Sequence, residues 1–348
     1  LPEAHPAAPS PISAMLSGIM LKTASYGILR VGFDLLDMQL WWWGAIALTL
    51  GLVTALFGVL FAAVQSDMKR LLAYSSIENI GIILVGIGLA IIFHSFGKDA
   101  LAALALTAAL YHSLNHSFMK SLLFLGTGSV LHATGERNLG KLGGLIRRMP
   151  RLALLVLVGT LALAGLPPLG GAWSKEAILA AAVETSVALG VATLAAGFLS
   201  ALYVGRFQLL AFGAGGLVGR IRRPTRTEIG ALAVLAVTTL ALAILWLPGA
   251  SDIVVGLAGG DLAAGSAWEF VVAVGLLLAA GSFVLLLDRR GRLVDLGLRP
   301  SIQVAVGDWW SLPRATSALV VAPTLRLSAA LGRADDRVID AGIRAAAR

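Results

Sequence analysis

Residues 11–33 read PISAMLSGIMLKTASYGILRVGF, an apolar stretch that is long enough to cross a lipid bilayer. Lys22 lies inside this stretch. A rise of about 1.5 Å per residue places it roughly 16 Å along the helix, near the middle of the ~30 Å hydrocarbon layer. A lysine at that depth costs at least ~2.5 kcal/mol, so it normally faces a bundle interior or a water-filled path. The stretch therefore predicts a membrane helix with a functional buried cation.

The composition indicates a membrane protein throughout. Apolar residues make up 58% of the chain and charged residues 13%, far from the average of a soluble domain. The chain has no cysteine, which excludes disulfides, iron–sulfur clusters and thiolate metal sites. The net charge of +8 is compatible with nucleic-acid binding, but the basic residues occur in short runs between apolar stretches, as in membrane proteins. We therefore expect a lipid bilayer as the partner and no nucleic acid.

Hydropathy predicts an all-α polytopic membrane bundle of about eight spans, one of them broken, followed by a C-terminal amphipathic helix. The predicted spans are 11–33, 41–64, 72–93, 101–132, 151–184, 187–213, 228–248 and 266–287. The span at 101–132 would be ~48 Å long at about 1.5 Å per residue, so it must tilt, bend or protrude.

The charges of the loops alternate with this span count. Loops after the second, fourth, sixth and eighth spans carry basic residues: Lys69 and Arg70, Arg137 to Arg151, Arg220 to Arg226, and Arg289 to Arg292. The opposite loops carry acidic residues, with Lys98 as their only lysine or arginine: Asp34, Asp37, Asp252 and Asp261. Because basic loops stay on the cytoplasmic side, both ends of the chain are predicted to be cytoplasmic, in the inner (plasma) membrane of the cell.

The fifth span is interrupted by GLPPLGG at 165–171. Its prolines remove backbone donors, and its glycines do not resist unwinding. A broken helix persists in lipid only where protein or water satisfies the freed backbone groups, and such helices often mark ion sites in transporters. Lys175 follows the break closely, which predicts an ion site there. The alternative is a simple kink beside a lysine that extends towards the interface.

The fourth span carries His112, His116 and Lys120 at positions i, i+4 and i+8, which form one stripe on a helix face. Histidine titrates near neutrality and passes protons between its two nitrogens, so its alternation with a buried lysine is typical of a proton relay. The alternative is that the histidines only form hydrogen bonds between helices. A metal or haem site would need further ligands that the sequence does not supply. Three more polar residues lie nearby: Ser113, Asn115 and Ser117.

Four other charged residues are weaker candidates. Asp67 and Lys69 open the third span, where anchoring at the interface is the simpler interpretation. Glu78 lies about two turns into that span and is either a carboxylate partner for a lysine or a hydrogen-bonding group between helices. Glu176 follows Lys175 directly and points about 100° away on an ideal helix, so it is not expected to be its direct partner.

Four ordered blocks resemble the antiporter-like proton-pumping subunits. The blocks are LPEAHPAAPSPISAMLSGIMLKTASYGILR at 1–30, QSDMKRLLAYSS at 65–76, LYHSLNHSFMKSLLFLGTGSVLHATG at 110–135 and LPPLGGAWSKEAIL at 166–179. Such subunits occur in the membrane arm of respiratory complex I, in membrane-bound hydrogenases of the hydrogenase-4/formate hydrogenlyase type, and in Mrp cation/proton antiporters. The resemblance covers essentially residues 1–213.

The resemblance implies that the chain holds spans eight to fifteen of a subunit with at least fourteen, so we expect earlier helices before Leu1. Lys22 matches the lysine or histidine of span eight, and Lys175 matches the lysine or glutamate of the broken span twelve. The stripe of His112, His116 and Lys120 matches the connecting residues of span eleven. The family's essential glutamate of span five and lysine of span seven would precede this sequence.

The branch of the family remains open. The blocks SSIENIG at 75–81 and VLHATGERNLGKLGGLIRRMP at 130–150 resemble the hydrogenase-4 branch, whereas SKEAIL at 174–179 resembles the largest antiporter-like subunit of complex I. The resemblance divides the chain into the C-terminal part of an antiporter-like domain at 1–213, two additional membrane helices at 214–287 and a tail at 288–348.

The tail is predicted to be interfacial. We expect no run within 302–346 to be long enough to span, and we expect an amphipathic helix from about Pro323 to lie along the cytoplasmic interface. The resemblance implies that it begins a lateral helix across neighbouring subunits. The alternative is a frayed chain end without a partner.

These observations predict a proton-translocating subunit that binds no cofactor or metal and has no redox centre of its own. Electron transfer would occur in partner subunits, either NADH dehydrogenase and quinone-site subunits or nickel–iron hydrogenase subunits. The alternatives are an Mrp-type antiporter subunit that moves protons or sodium, and an inert membrane scaffold.

Overall fold

The computed structural model of this chain describes residues 1–35, 40–213, 221–246, 267–296, 298–307, 312–336 and 340–347. Within these ranges the secondary structure is helical, apart from an isolated bridge between Asp67 and Asn138. This confirms the predicted all-α class. The chain divides into two compact units, Leu1–Gly297 and Leu298–Arg348.

Some residues used to predict the orientation cannot be placed. Asp37, Arg220, Asp252 and Asp261 lie outside the described residues.

The described part of the first unit contains helices α1 to α12. Their bounds are Ala4–Ala7 (α1), Ser10–Met15 (α2), Leu21–Leu29 (α3), Trp41–Val64 (α4), Met68–Ser95 (α5), Asp99–Thr134 (α6), Leu145–Arg148 (α7), Pro150–Ala164 (α8), Gly170–Thr185 (α9), Val187–Phe212 (α10), Arg226–Ala241 (α11) and Ala267–Arg289 (α12). A π-helical turn, Leu16–Met20, joins α2 to α3, so that Ser10–Gly32 forms one continuous span.

Six helical segments of the first unit are long and apolar enough to cross a membrane, within the described ranges. They match the predicted spans one, two, three, six, seven and eight: Ser10–Gly32, Trp41–Val64, Met68–Ser95, Val187–Phe212, Arg226–Leu245 and Phe270–Arg289. The other two predicted spans are α6 and the pair α8–α9. The chain is therefore a polytopic helical membrane protein.

Helix α6 is the central element of the first unit. It is an unbroken helix of 36 residues and packs against α2, α5, α8, α9 and α11. Because it is surrounded by other helices, α6 can carry more polar residues than a helix that faces lipid.

The predicted break in the fifth span is confirmed. Helix α8 ends at Ala164 and α9 begins at Gly170. Gly165 terminates α8 with a φ of +85°, a left-handed conformation that an L side chain rarely adopts. The break therefore follows from local sequence, because a glycine ends the helix and two prolines follow it.

Helices α4 and α5 approach each other closely through glycine. A Cβ built on Gly51 would lie 2.7 Å from the backbone nitrogen of Val85. A Cβ on Gly58 would collide with the backbone of Glu78. Small residues allow membrane helices to pack backbone to backbone. This contact therefore fixes the position of α5, which carries Glu78.

The basic loops meet at one end of the first unit. The backbone nitrogen of Leu139 donates to the carbonyl of Ser66 at 2.8 Å, which joins the loops after α4 and α6. The backbone nitrogen of Gly144, also after α6, donates to the carbonyl of Gly213, after α10, at 2.7 Å. The predicted position of these basic loops on one side therefore agrees with the fold.

Arg206 ties the loop after α12 to this same end. Its side chain is fully buried and donates to the carbonyl oxygens of Ala63, Gln65, Leu293 and Val294. These carbonyls belong to the end of α4 and to the segment after α12.

The second unit is also helical where it is described. Its helices are Pro300–Gly307 (α13), Leu312–Thr316 (α14), Ala322–Ala334 (α15) and Asp340–Ala346 (α16). A π-helical turn, Ser317–Val321, connects α14 to α15. Apart from the half-buried Ala322, the side chains described between 314 and 336 are exposed.

One prediction about the tail was wrong. Arg314–Ala334 is a continuous helical segment of 21 residues with a mean hydropathy of 1.3, which is long and apolar enough to cross a membrane by length and composition. We expected no run within 302–346 to be long enough to span, but a π-helical turn precedes Pro323 and the helix continues through this proline. The predicted amphipathic helix from about Pro323 is present as α15.

Candidate functional site

A layer of buried polar side chains surrounds α6. His112, His116 and Lys120 are fully buried and lie on one face of α6, as their spacing predicts. Their partners come from α3, α5 and α9. The stripe is therefore the line along which these helices meet.

Lys22 contacts the stripe at His116. Its Nζ lies 2.5 Å from His116 Nδ1 and donates to the carbonyl of Ser17 at 2.5 Å. If the ammonium donates to Nδ1, the neutral imidazole carries its own proton on Nε2. This Nε2 is buried and has no hydrogen-bond partner among the described protein atoms. The ring is therefore placed to take a proton on one side and release one on the other.

Both ring nitrogens of His112 form hydrogen bonds to side chains of neighbouring helices. Nε2 lies 3.0 Å from Asn79 Oδ1, and Nδ1 lies 2.9 Å from Ser174 Oγ. Asn79 uses its amide nitrogen to donate to Ser75, which orients its oxygen as the acceptor for Nε2–H. The centroids of the two histidine rings are 6.3 Å apart. His112 therefore connects the histidine stripe to α5 and to the residue that precedes Lys175.

Lys120 binds only neutral oxygens among its hydrogen-bond partners. Its Nζ donates to the carbonyl of Leu72 at 2.6 Å and to Ser75 Oγ at 2.5 Å. It also lies 5.3 Å from the ring centroid of Phe124, within the range of a cation–π interaction.

Lys175 fills the gap that the helix break creates. Its Nζ donates to the carbonyl of Leu163 at 2.8 Å and to Ser200 Oγ at 3.1 Å. In an unbroken helix the Leu163 carbonyl would accept from residue 167, but Pro167 has no backbone N–H. The lysine therefore satisfies an acceptor that the proline leaves free.

Glu78 supplies the negative charge opposite Lys175. Its Oε1 lies 4.0 Å from Lys175 Nζ, and its Oε2 accepts a hydrogen bond of 2.6 Å from the hydroxyl of Tyr203. Both alternatives considered for Glu78 therefore hold, since it is a lysine partner and a hydrogen-bonding group between helices. It is the one fully buried carboxylate within the described ranges, whereas Lys120 and the two histidines are equally buried.

A cavity of about 70 Å³ adjoins the break. Gly165, Pro167, Lys175 and Glu176 line it, together with apolar residues of α10 and α12. A water needs roughly 10–15 Å³ of such volume, so the cavity has room for several waters beside Lys175. Glu176 thus faces the same space as Lys175, although the ion pair of Lys175 is with Glu78.

Asp67 and Lys69 lie outside this layer. Asp67 caps α5 by accepting from the backbone nitrogens of Lys69 and Arg70, and it forms an ion pair of 2.8 Å with Arg137. Lys69 Nζ donates to the carbonyl of Ala8 at 2.7 Å. Both residues anchor the loops and the N-terminal segment at the basic end, which agrees with the simpler interpretation.

The N-terminal segment also buries His5, which stacks on Phe124 with ring centroids 4.6 Å apart. Burial lowers the pKa of His5 to about 4, and the charge of Lys120 acts in the same direction.

Sequence reasoning missed several members of the layer. Asn79, Ser174, Ser200 and Tyr203 all contact a charged or histidine side chain there. A buried serine or asparagine in an apolar helix gives no signal of its own, because the nearby helix backbone can satisfy its side chain. Asn115 and Ser117, two of the polar residues near the stripe in sequence, bond to backbone carbonyls of α6 itself.

Comparison with known proteins identifies the family. Residues 1–200 match the family described as NADH:quinone oxidoreductase/Mrp antiporter, TM. The chain belongs to this family. Lys22, His112, His116, Lys120 and Lys175 all lie within the part that matches the antiporter family.

Curated relatives come from hydrogenases and antiporters. The chain is 45% identical over 174 residues to hydrogenase-4 component B of Escherichia coli (strain K12), covering 49% of the chain and 26% of the relative. It is 46% identical over 171 residues to formate hydrogenlyase subunit 3 of the same strain, covering 49% and 28%. It is 38% identical over 189 residues to Na(+)/H(+) antiporter subunit A1 of Staphylococcus saprophyticus, covering 53% and 23%. The chain thus spans about a quarter of the length of these relatives.

Two solved structures of membrane complexes contain a chain with the same fold. The Mrp complex from Dietzia sp. DQ12-45-1b matches with a TM-score of 0.68 at 30% identity, covering 92% of this chain and 36% of that chain. The archaeal membrane-bound sulfane sulfur reductase matches with a TM-score of 0.64 at 26% identity, covering 80% and 49%.

Proposed function

We propose that this chain is part of a proton-translocating membrane subunit. It would move protons along the buried Lys/His layer, coupled to electron transfer in partner subunits of a complex I-like or hydrogenase-type assembly. The observation that carries the proposal is the pair of the partly buried Lys175 and the fully buried Glu78 at 4.0 Å, beside a broken helix and a cavity. A charged pair in this position is expensive in lipid and is characteristic of ion pathways.

The relay would use the contacts of α6. A proton on Lys22 passes to His116 Nδ1 over 2.5 Å, and the ring releases a proton from Nε2. His112 is the next titratable group on the same face, and Ser174 links it to the turn of α9 that carries Lys175. Water in the cavity beside Lys175 would then accept the proton and carry it out of the buried layer.

Electrostatic repulsion would give the relay its direction. Lys22, Lys120 and Lys175 share a layer with one fully buried carboxylate, Glu78. Charging one lysine disfavours the charged form of the others, because repulsion is only weakly screened in a low-dielectric interior. When the Lys175–Glu78 pair opens, Lys175 loses the carboxylate that favours its charged form and can release its proton.

The proposed setting is the inner membrane of the cell, with the basic loops on the cytoplasmic side as the positive-inside rule predicts. Partner subunits would hold the redox centres, either NADH and quinone sites or a nickel–iron hydrogenase. The similarity to hydrogenase-4 component B and formate hydrogenlyase subunit 3 supports the hydrogenase type.

The test is the replacement of Lys175 in the full-length protein. We expect Lys175→Ala to reduce proton uptake into sealed vesicles at least tenfold while the complex still assembles. Lys175→Arg should also fail, because arginine keeps its proton in proteins. The matched control is Lys98→Ala, which removes an exposed lysine from the loop before α6.

Proton uptake at the wild-type rate in the alanine variant would remove Lys175 from the path. A loss of assembled complex in both Lys175 variants would instead indicate a structural role, as in an inert scaffold.

The second candidate is an Mrp-type cation/proton antiporter subunit. The similarity to the Mrp complex, at 92% coverage of this chain, favours this candidate. The two functions differ in their driving force. An antiporter would move protons in vesicles when a sodium gradient is imposed, without any electron donor, whereas the complex I-like or hydrogenase-type subunit would require electron transfer.

A further inference from the structure

A second cavity, of about 460 Å³, lies away from the buried layer at the end of the unit that carries the basic loops. Arg147 and Arg148 of α7, Arg151 of α8 and Arg223 before α11 line it. The first three follow α6 in sequence and the last follows α10, so the fold brings two basic loops to one cavity.

The cavity has an unbalanced charge. Four of its lining residues are arginines, and none is a carboxylate. Arg147, Arg151 and Arg223 are exposed to the space around them. Guanidinium groups gathered in this way repel one another, and a bound anion would relieve that repulsion. Arginine is suited to phosphate, because its planar fork donates two parallel hydrogen bonds to the oxygens.

The cavity lies where membrane helices begin. Pro150 is the first residue of α8, and Ile229 lies in the first turn of α11. The N-terminus of α8 has no side-chain cap, so its first backbone N–H groups add partial positive charge at the cavity. The lining also includes apolar residues, among them Met149 and Leu152. A ligand with an anionic head and an apolar body would contact both kinds of wall.

We propose that this cavity binds the phosphate headgroup of an anionic phospholipid from the leaflet that faces the basic loops. The arginines would bind the phosphate oxygens, and the apolar wall would contact the glycerol and the upper acyl chains. Basic cavities between membrane helices are suited to such headgroups. The volume exceeds that needed for a single small anion, which favours a lipid with a large or double-phosphate headgroup. Because the cavity is separate from the Lys/His layer, this site does not depend on the proposed proton transport.

The experiment uses the full-length protein, purified in detergent and stripped of lipid. Binding of cardiolipin, phosphatidylglycerol and phosphatidylcholine is measured by native mass spectrometry and by the shift of the unfolding temperature. The cavity variant carries Arg147→Gln, Arg151→Gln and Arg223→Gln. The control carries Arg289→Gln, Arg290→Gln and Arg292→Gln, which remove the same charge from exposed positions in another basic loop.

We expect the cavity variant to bind the two anionic lipids roughly a hundredfold more weakly, at about fivefold for each lost arginine. The control should stay within about twofold of the wild type. Phosphatidylcholine should not bind at this site in any of the proteins. Replacing the same three arginines by lysine retains the charge but not the planar guanidinium with its two parallel hydrogen bonds. We therefore expect an intermediate, about tenfold, loss of lipid affinity.

Two results would overturn the proposal. Equal weakening in the cavity variant and the control would mean that lipids respond only to net surface charge. The second result is that millimolar inorganic phosphate displaces the lipid and binds alone as tightly as the lipid does. This would identify a site for free phosphate. If the glutamine variant does not fold, lipid affinity is measured in the lysine variant instead. An unchanged lipid affinity of the lysine variant would also contradict the proposal.

Discussion

At the scale of single residues, Lys175 and Glu78 form a pair that is suited to switching. Their charged atoms are 4.0 Å apart, and each also contacts another polar group, Ser200 or Tyr203. At 4 Å and an effective dielectric constant of about 20, the attraction is about 4 kcal/mol. Desolvation costs several kcal/mol for each of the two ions, so its total is at least as large as the attraction. Because the attraction gives the charged pair no large surplus of stability, a small change in distance or hydration can move the proton.

Glu78→Gln tests this balance. The amide retains the shape and can still accept from Tyr203, but it removes the only fully buried negative charge within the described ranges. We expect Lys175 to become neutral and proton uptake to fall at least tenfold, while the complex still assembles. Glu176→Gln is the control, because this carboxylate lines the cavity beside Lys175 but does not form the 4.0 Å pair. Uptake and assembly are measured in vesicles.

Normal uptake in the Glu78 variant would show that Lys175 needs no counter-charge. An equal loss in both glutamine variants would point to the cavity as a whole and not to the ion pair.

At the scale of elements, the broken helix creates the lysine site. Helix α8 ends at Ala164, and the Leu163 carbonyl lacks a backbone donor because Pro167 stands four residues later. Lys175 of α9 donates to it at 2.8 Å. The break thus places Lys175 against the Leu163 carbonyl and beside the cavity. A continuous helix would not allow this arrangement.

Pro167→Ala tests the role of this break. The alanine restores an N–H that can compete with Lys175 for the Leu163 carbonyl, so we expect proton uptake to fall severalfold while the protein still folds. The control is Pro150→Ala, since a proline in the first turn of a helix replaces no intrahelical hydrogen bond. Uptake in vesicles is compared with the unfolding temperature, and a variant with reduced stability but full uptake would contradict the expectation.

At the scale of the whole molecule, Arg206 holds the basic end together. Its fully buried guanidinium donates to four carbonyl oxygens from two distant parts of the chain. It thereby connects the end of α4 with the segment after α12. The Lys/His layer depends on the same packing, because α4 positions α5 and α5 carries Glu78 and Asn79.

Arg206→Met should destabilise the first unit by about 3–5 kcal/mol, because it leaves buried carbonyls without donors. The measurement is unfolding of the full-length protein in mixed detergent micelles. Arg289→Met, at an exposed position, should change stability by less than ~0.5 kcal/mol. A similar small change for Arg206 would mean that water replaces its hydrogen bonds.

The sequence alone determined the membrane class, most of the spans, the break and the stripe on α6. These features are local, since hydrophobic length, helical period and the chemistry of glycine and proline act within one segment. The meeting of the basic loops at one end also followed from the order of spans. The extension of the tail helix to the residues before Pro323 did not follow, because a π-helical turn carries the helix through this proline.

Only the tertiary structure decided which polar groups meet. Lys22 contacts His116 across 94 positions of sequence, and Tyr203 contacts Glu78 across 125. Such pairs depend on the rotation of each helix about its axis and on the depth at which helices cross. Those quantities follow from close packing, such as the approach of α4 to α5 at Gly51, and a single apolar helix does not encode them in its own residues.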